Sequence, residues 1–359
     1  MEATSLEFLK RLLDTPGPSG YEAAAAKVWR EEAGRITEEV SADIPGNSIA
    51  VLRGAAGGPS IMLAGHIDEI GVMVTHIDDD GFLYIDGIGG WDSQVLVGHR
   101  IRLLTRKGEV LGVIGKKPVH LMKGDEREKV SKLADLWIDT GVRGRDKVLE
   151  LGVRVGDPGV IDSRVLELGE RVIVSRSIDN RIGAFVVLEA LRLMAQGDRP
   201  AATVSAVATV QEEIGFYTGG GAATSAFKLE PQIALVVDVT FAADAPGVDK
   251  KEVGDHKIGG GVVLTRGSAS HPLVFERLAS VAEREGIPFT ITAAPKYTST
   301  DADGIFFSRA GVATALISVP NRYMHSPNEL VSLDDLDAAA RLIAAFCRDV
   351  KSVEEFLAP

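Results

Sequence analysis

Seven acidic and imidazole side chains are spaced along the chain in a way that could do metal chemistry: His66, Asp68, Asp179, Glu212, Glu213, Asp238 and His325. Most of them follow an apolar run of strand length, which is where open α/β sheets place their ligand sites. In Gly65-His66-Ile67-Asp68-Glu69, an extended backbone projects His66 and Asp68 to the same side. A carboxylate two residues on can orient an imidazole that ligates a metal, and a surface histidine in a polar turn is the plainer reading. Asp179, in Ser177-Ile178-Asp179-Asn180-Arg181, opens a helical stretch and reads as a ligand or as a helix cap. Gln211-Glu212-Glu213 directly follows the apolar run Thr203 to Val210. Two adjacent carboxylates cannot face the same way in regular strand, so one can ligate while the other stays free as a base; a solvated charge pair is the alternative. Asp238 follows Ile233-Ala234-Leu235-Val236-Val237, where an ionised carboxylate is costly unless it is paired, bound to a cation or exposed at a strand end. His325, in Tyr323-Met324-His325-Ser326-Pro327-Asn328-Glu329 after the run Ala313 to Val319, is a ligand or a satisfied loop histidine. With Asp68 set apart to orient His66, these residues supply His, Asp, Glu, Asp and His with one spare Glu. That inventory suits two borderline divalent cations, zinc or cobalt, bound through nitrogen and oxygen.

The elements that must position these residues are legible in outline. Leu6, Leu9, Leu12 and Leu13 recur at helical spacing, with Thr4 or Ser5 as cap, and Thr15-Pro16-Gly17-Pro18-Ser19-Gly20 ends that helix. A second helix is predicted from Tyr21 to about Ala33, and Ser60 to Ala64 reads as a buried strand running into Gly65-His66. From Gly71 to about Glu170 the pattern changes to glycine-rich, short β-type runs. Asp79-Asp80-Gly81 separates Val72-Met73-Val74 from Phe82-Leu83-Tyr84-Ile85, and Lys107-Gly108 separates Ile101 to Leu104 from Val110 to Val113; both are hairpin signals. A helix is predicted around Glu126 to Leu136. Downstream, helices such as Ile182 to Ala195 alternate with the apolar runs Ala202 to Val210, Ile233 to Val237 and Ala313 to Val319, and Ser332-Leu333-Asp334-Asp335 begins a C-terminal helix. The alternation predicts an α/β domain with a largely buried sheet, residues 1–70 and 170–359, interrupted by a small β-rich domain, residues 71–169.

Composition narrows the function. The 359 residues are 45% hydrophobic and carry a net charge of −12, which disfavours nucleic acid and anionic lipid as partners. The single cysteine, Cys347, precludes an intramolecular disulfide and lies in an apolar helical stretch beside Leu342, Ile343 and Phe346, so it reads as packing. The first residues lack a basic and apolar leader, and Glu189 and Arg192 interrupt the longest apolar run, so a cytoplasmic location without a membrane span is expected. There is no G-x-S-x-G and no H-E-x-x-H, and neither Gly219-Gly220-Gly221 nor Gly259-Gly260-Gly261 is followed by the Lys-Ser/Thr of a phosphate loop. A glycosidase would need two carboxylates flanking a sugar bond, for which the adjacent Glu212 and Glu213 are poor candidates.

The set His66-Ile67-Asp68-Glu69-Ile70-Gly71, Asp179-Asn180-Arg181-x-Gly183, Gln211-Glu212-Glu213-x-Gly215, Asp238-Val239-Thr240 and Asn321 to Ser326 resembles the tetrahedral aminopeptidases. These are the glutamyl, leucyl and lysyl aminopeptidases, some of which carry an endoglucanase label. The resemblance spans nearly the whole chain and includes Pro16 to Gly20 and Leu136-Trp137-Ile138-Asp139-Thr140-Gly141. It implies a three-layer α/β/α catalytic sandwich with an inserted, barrel-like β domain used for dimerisation. It further implies two metal ions per subunit: His66 and Asp238 on one, Glu213 and His325 on the other, Asp179 bridging. Glu212 is then the general base, and Asp68 holds His66. The implied assembly is a hollow tetrahedral homododecamer built from dimers, acting on short peptides. The chain departs from the family at Thr298-Ser299-Thr300-Asp301-Ala302-Asp303, where many relatives have Gly-Gly-Thr-Asp-Ala. That departure weakens any carry-over of side-chain specificity, and the expectation is a weak lean to neutral, apolar first residues. A two-metal carboxypeptidase or deacylase would use the same ligands, and a non-catalytic assembly protein is the alternative from another class.

Overall fold

The computed structural model describes residues 1–55, 57–215 and 219–357. Its main element is an eight-stranded sheet: β1 (Val40–Ala42), β2 (Ser48–Leu52), β3 (Ser60–His66), β4 (Thr203–Thr209), β5 (Ile233–Phe241), β6 (Val262–Gly267), β7 (Phe289–Ala294) and β8 (Ala313–Asn321). Their spatial order is β1-β2-β4-β3-β5-β8-β6-β7. The four central strands β4, β3, β5 and β8 are mutually parallel. Strands buried on both faces need apolar residues throughout, and Ile233–Val239 of β5 is buried without a break.

Alternate side chains along the strands divide between two cores, because successive residues point to opposite faces. Ile61, Leu63, Leu235 and Val237 join the larger core with α1 (Ala3–Asp14), α2 (Ala23–Ala33), α3 (Ile178–Gln196), α5 (Pro272–Arg284) and α7 (Leu333–Asp349). Met62, Ala64, Ala234 and Val236 join a smaller core under α4 (Gly220–Leu229) and α6 (Asp301–Phe306). The result is a three-layer α/β/α sandwich, as the family resemblance implies, around the buried sheet that the alternation of runs predicts.

Between β3 and α3 the chain closes a six-stranded barrel around its own apolar core, which includes Val72, Val74, Leu83, Ile101, Leu103 and Ile138. Both predicted hairpins are part of it: Gly71–Ile77 pairs with Leu83–Ile88, and Arg100–Thr105 with Gly108–Gly115. Gly81 and Gly108 have φ of +95° and +118°, left-handed values that a side chain would disfavour, which is why glycine sits at these two turns.

Two local expectations are corrected. The segment 126–136 forms two short 3₁₀ turns, Gly124–Arg127 and Leu133–Asp135, in place of one helix. Its apolar residues are too sparse to give a helix a packed face, and an isolated helix of that length is marginal in water. At the start of α1, neither Thr4 nor Ser5 is a cap: the helix begins at Ala3 with Glu2 at the N-cap position. Ser5 is buried inside the helix and donates to both carboxylate oxygens of Glu189 on α3, at 3.1 Å each. At the other end, Ser332 caps α7 as predicted, accepting from Asp334 N–H at 3.1 Å. Among the described residues no helix is long and apolar enough to cross a membrane.

Candidate metal centre

The parallel strands β3, β4, β5 and β8 all end at one rim, and each contributes a candidate side chain there or just beyond. His66 is the last residue of β3 and lies opposite Thr209, the last residue of β4. Glu212 and Glu213 follow β4 after Val210 and Gln211. β5 pairs with β3 only as far as Val236 opposite Ala64, so Asp238 reaches into the gap where the two strands part. His325 follows β8, and Asp179 lies in the first turn of α3. The extended φ/ψ of Asp179, −74°/107°, is one a helix cap can adopt, but its carboxylate is turned toward two histidines.

Six of the seven candidates face one another. Asp179 presents Oδ1 to His66 Nε2 at 3.2 Å and Oδ2 to His325 Nε2 at 3.4 Å, one oxygen to each imidazole. His66 Nε2 also lies 3.7 Å from Glu212 Oε2 and 3.9 Å from Asp238 Oδ1. His325 Nε2 lies 3.4 Å from Glu213 Oε2. Ligand atoms of His66, Asp179 and Glu213 gather within 4.8 Å of one another, as do those of His66, Glu212 and Asp238. The seventh, Asp68, stands behind them and is fully buried. Its Oδ1 lies 3.4 Å from His66 Nδ1, and its two oxygens accept from Glu212 N–H at 3.2 Å and Glu213 N–H at 3.1 Å. One carboxylate thus orients the imidazole and pins the backbone of both glutamates.

The electrostatics of the cluster call for positive charge. Burial, together with neighbouring carboxylates, pushes the Glu212 and Asp238 carboxyls well above their usual range, and burial with Asp179 raises Glu213. Burial also opposes a charge on the imidazoles, but the carboxylates outweigh it: His66 is raised well above its usual value and His325 to about 11. Asp179 is lowered in spite of burial by hydrogen bonds to the two histidines. In the bare chain the imidazoles thus act as the cations of the cluster. Among the described residues Glu213 Oε1 is buried without a hydrogen-bond partner, a costly state that ligation would relieve. Imidazole nitrogens and carboxylate oxygens in this number fit two zinc- or cobalt-like cations, so the donor set passes the chemical test for such a centre.

Several supporting residues carry no sequence signal strong enough to single them out. Glu329 is buried and accepts from Asp179 N–H and His325 N–H at 2.9 Å each, tying these two segments together. It reaches Asp179 because its short strand, Glu329–Ser332, pairs with Val172–Ser175 just before α3. Asn180 donates to Val237 O at 2.8 Å and accepts from Gly183 N–H at 3.0 Å, fixing α3 to β5. Arg181, fully buried, donates to Leu12 O, Ile67 O and Glu69 Oε1 at 2.8, 3.1 and 2.8 Å. Glu69 also pairs with Arg176. These contacts bind the end of α1, the end of β3 and the start of α3 into one unit beneath the cluster.

Above the cluster opens a cavity of about 860 Å³. Phe241, Tyr297, Phe307 and Met324 supply apolar wall, residues 298–301 and 303 line one side, and no Lys or Arg lines it among the described residues. Asp301 is buried at this wall, its carboxyl raised to about 6 chiefly by burial.

The family model for M42 glutamyl aminopeptidase matches residues 46–342. The chain is 34% identical to the lysyl aminopeptidase of Pyrococcus furiosus over 97% of its own length and 98% of that protein's. Its fold is similar to that of a TET aminopeptidase from a marine sediment archaeon of the Thaumarchaeota, with a TM-score of 0.93, 36% identity and 99% of each chain covered. It is also similar to the TET1 peptidase of Pyrococcus horikoshii, described as assembling into a tetrahedron or a large octahedral shell: TM-score 0.80, 31% identity, 96% of this chain and 100% of that one.

Proposed function

This chain belongs to the M42 glutamyl aminopeptidase family and is an aminopeptidase, and from that premise we propose that it removes single N-terminal residues from short peptides at a two-metal centre with Glu212 as general base. The observation that carries the reading is the disposition of Asp179, one carboxylate oxygen toward each histidine, 3.2 Å from His66 and 3.4 Å from His325. That is the disposition a bridging ligand needs. His66 and Asp238 then hold one cation, Glu213 and His325 the other, and Asp179 both; zinc or cobalt suits the donors. When bound, such a pair supplies Lewis acidity and lowers the pKa of water toward neutrality. Glu212, at 18% side-chain exposure the carboxylate of the cluster most open to the cavity, takes the proton of the attacking water. It then delivers that proton to the leaving amine. Asp68 keeps the His66 ring and the Glu212 backbone in register throughout.

The cavity wall supports neutral, apolar first residues: aromatic and methionine side chains line it, and no Lys or Arg is present there among the described residues to receive an acidic one. The same reading takes residues 1–70 and 170–359 as the catalytic domain and 71–169 as an inserted dimerisation domain within a cytoplasmic tetrahedral dodecamer. Exposed Leu111, Val113, Val119 and Leu121 on and beside the barrel support an interface there. A panel of aminoacyl p-nitroanilides and N-blocked peptides, assayed before and after chelation, tests the proposal. Free-amine substrates should be cleaved, N-blocked ones spared, and activity lost on chelation and restored by Zn²⁺ or Co²⁺. Full turnover with metal shown to be absent would overturn it.

A further inference from the structure

Two carboxylates line the cavity besides those of the metal cluster, Asp301 and Asp303, and they differ in what is left free. Asp303 is saturated: Thr298 N–H reaches both its oxygens at 3.0 Å, Thr298 Oγ1 donates at 2.9 Å and Ser299 N–H at 2.8 Å. Asp301 is engaged on one side only. Thr209 Oγ1 donates to its Oδ2, and among the described residues no other side-chain hydrogen bond is made to its carboxylate. Asp301 is 4% exposed and faces no Lys or Arg in the cavity. A buried carboxylate stays ionised only at a cost unless a cation stands beside it, and otherwise shifts toward its neutral form.

The position is specific. Thr209 lies opposite His66 in the β3–β4 register, so the hydroxyl that holds Asp301 stands one strand from the first ligand. Asp301 lines the same cavity as Glu212 and Asp238. Two divalent cations would balance the four carboxylates Asp179, Glu212, Glu213 and Asp238 and leave Asp301 as the negative group of the cavity with an oxygen to offer.

We propose that Asp301, oriented by Thr209, binds the free α-ammonium group of the substrate and is the residue that restricts cleavage to N-terminal residues. This rests on the aminopeptidase reading above and names the group that reads the amine. An N-blocked or internal residue has no cation for Asp301, so binding it leaves the carboxylate buried and unpaired. The amine-reading group and the proton-transferring group are then different carboxylates, Asp301 and Glu212.

The test compares two ligands that differ only in the amine, L-leucine hydroxamate and 4-methylpentanohydroxamate, by calorimetric titration of the metal-loaded protein. The parent should bind the amine-bearing ligand more tightly by about 10²-fold or more, and Asp301→Asn should reduce that preference by at least about 30-fold, as for loss of one partner from a buried charge pair. Binding of the deaminated ligand and metal content should stay unchanged. Equal weakening of both ligands would make Asp301 merely structural, and an unchanged preference would put the amine elsewhere; either overturns the inference and leaves the aminopeptidase reading intact. A crystal structure of the parent with L-leucine hydroxamate decides the matter independently of the variant's folding. The ammonium nitrogen should lie within hydrogen-bond distance of Asp301, and a separation beyond about 4 Å refutes the assignment. Absence of any cleavage of leucine p-nitroanilide by the parent would instead remove the underlying reading.

Discussion

Glu212→Gln and Glu213→Gln are the most informative pair of substitutions, because proximity alone gives either glutamate a claim to be a ligand. Glu213 gathers with His66 and Asp179, and Glu212 with His66 and Asp238. Orientation separates them. The Glu213 side chain is 5% exposed, its Oε2 stands 3.4 Å from His325 Nε2, and its Oε1 is buried without a hydrogen-bond partner among the described residues. Glu212 opens to the cavity on the side of His66 already served by Asp238. Replacing Glu213 therefore removes a charged donor that His325 and Asp179 cannot replace, and bound metal should fall from two ions toward one per chain. Replacing Glu212 leaves the proposed donors in place. The amide cannot accept the water's proton, so kcat should fall by about 10²–10⁴-fold, equivalent to about 2.7–5.4 kcal/mol of barrier. KM should change by no more than about threefold, because the groups that meet the substrate in its ground state remain. Elemental analysis after dialysis, with steady-state kinetics on leucine p-nitroanilide, reads both quantities. Loss of metal from Glu212→Gln with full occupancy of Glu213→Gln would reverse the two roles. Near-normal turnover in both would place the chemistry elsewhere.

Asp68→Asn should lower metal affinity and kcat/KM by about 10–100-fold, since the amide keeps one acceptor for the two N–H groups of Glu212 and Glu213 and sets its own donors against the other; metal titration of the chelated protein checks this. Arg181→Met should destabilise the fold by about 3–5 kcal/mol in urea unfolding, because it strips one of two cations from buried Glu69 and leaves the carbonyls of Leu12 and Ile67 unpaired; a loss below about 1 kcal/mol would contradict that. Glu22→Gln should raise stability at pH 8. Burial, helped by the charge of Asp68, lifts the Glu22 carboxyl to about 7, so the protonated form is favoured by folding. The parent's advantage is fully present below about pH 4.5 and is lost as pH rises through 7, up to about 3 kcal/mol. The variant, whose amide oxygen can still accept from Gly20 and Gln211 N–H, should show no such decline over that window.

The sequence by itself determined the layers and the chemical inventory. Apolar runs of strand length alternating with helical stretches are the signature of a sheet buried on both faces, and Ala202 to Val210, Ile233 to Val237 and Ala313 to Val319 all became central parallel strands. Acidic and imidazole residues just after such runs stand out because a buried strand end tolerates charge only with a partner. Turn residues were equally readable at Asp79-Asp80-Gly81 and Lys107-Gly108, since local backbone sterics act within a few residues. The two misreadings have different origins: the stretch 126–136 has charge enough for a helix surface but no apolar stripe to dock it, whereas the hydroxyl of Ser5 is taken by Glu189, 184 residues away.

What only the tertiary structure decided are relations between strands. Strand order, and the parting of β5 from β3 after Val236, bring Asp238 opposite His66, and no pattern along either strand encodes that separation. The pairing of Glu329–Ser332 with Val172–Ser175 places Glu329 on the N–H groups of both Asp179 and His325, a role its position four residues after His325 does not announce. Asp301 and Asp303 look alike in the run Thr298 to Asp303. Only the folded chain surrounds one with four hydrogen bonds and, among the described residues, leaves the other with that from Thr209 alone, because saturation of a carboxylate depends on which donors the fold brings within reach.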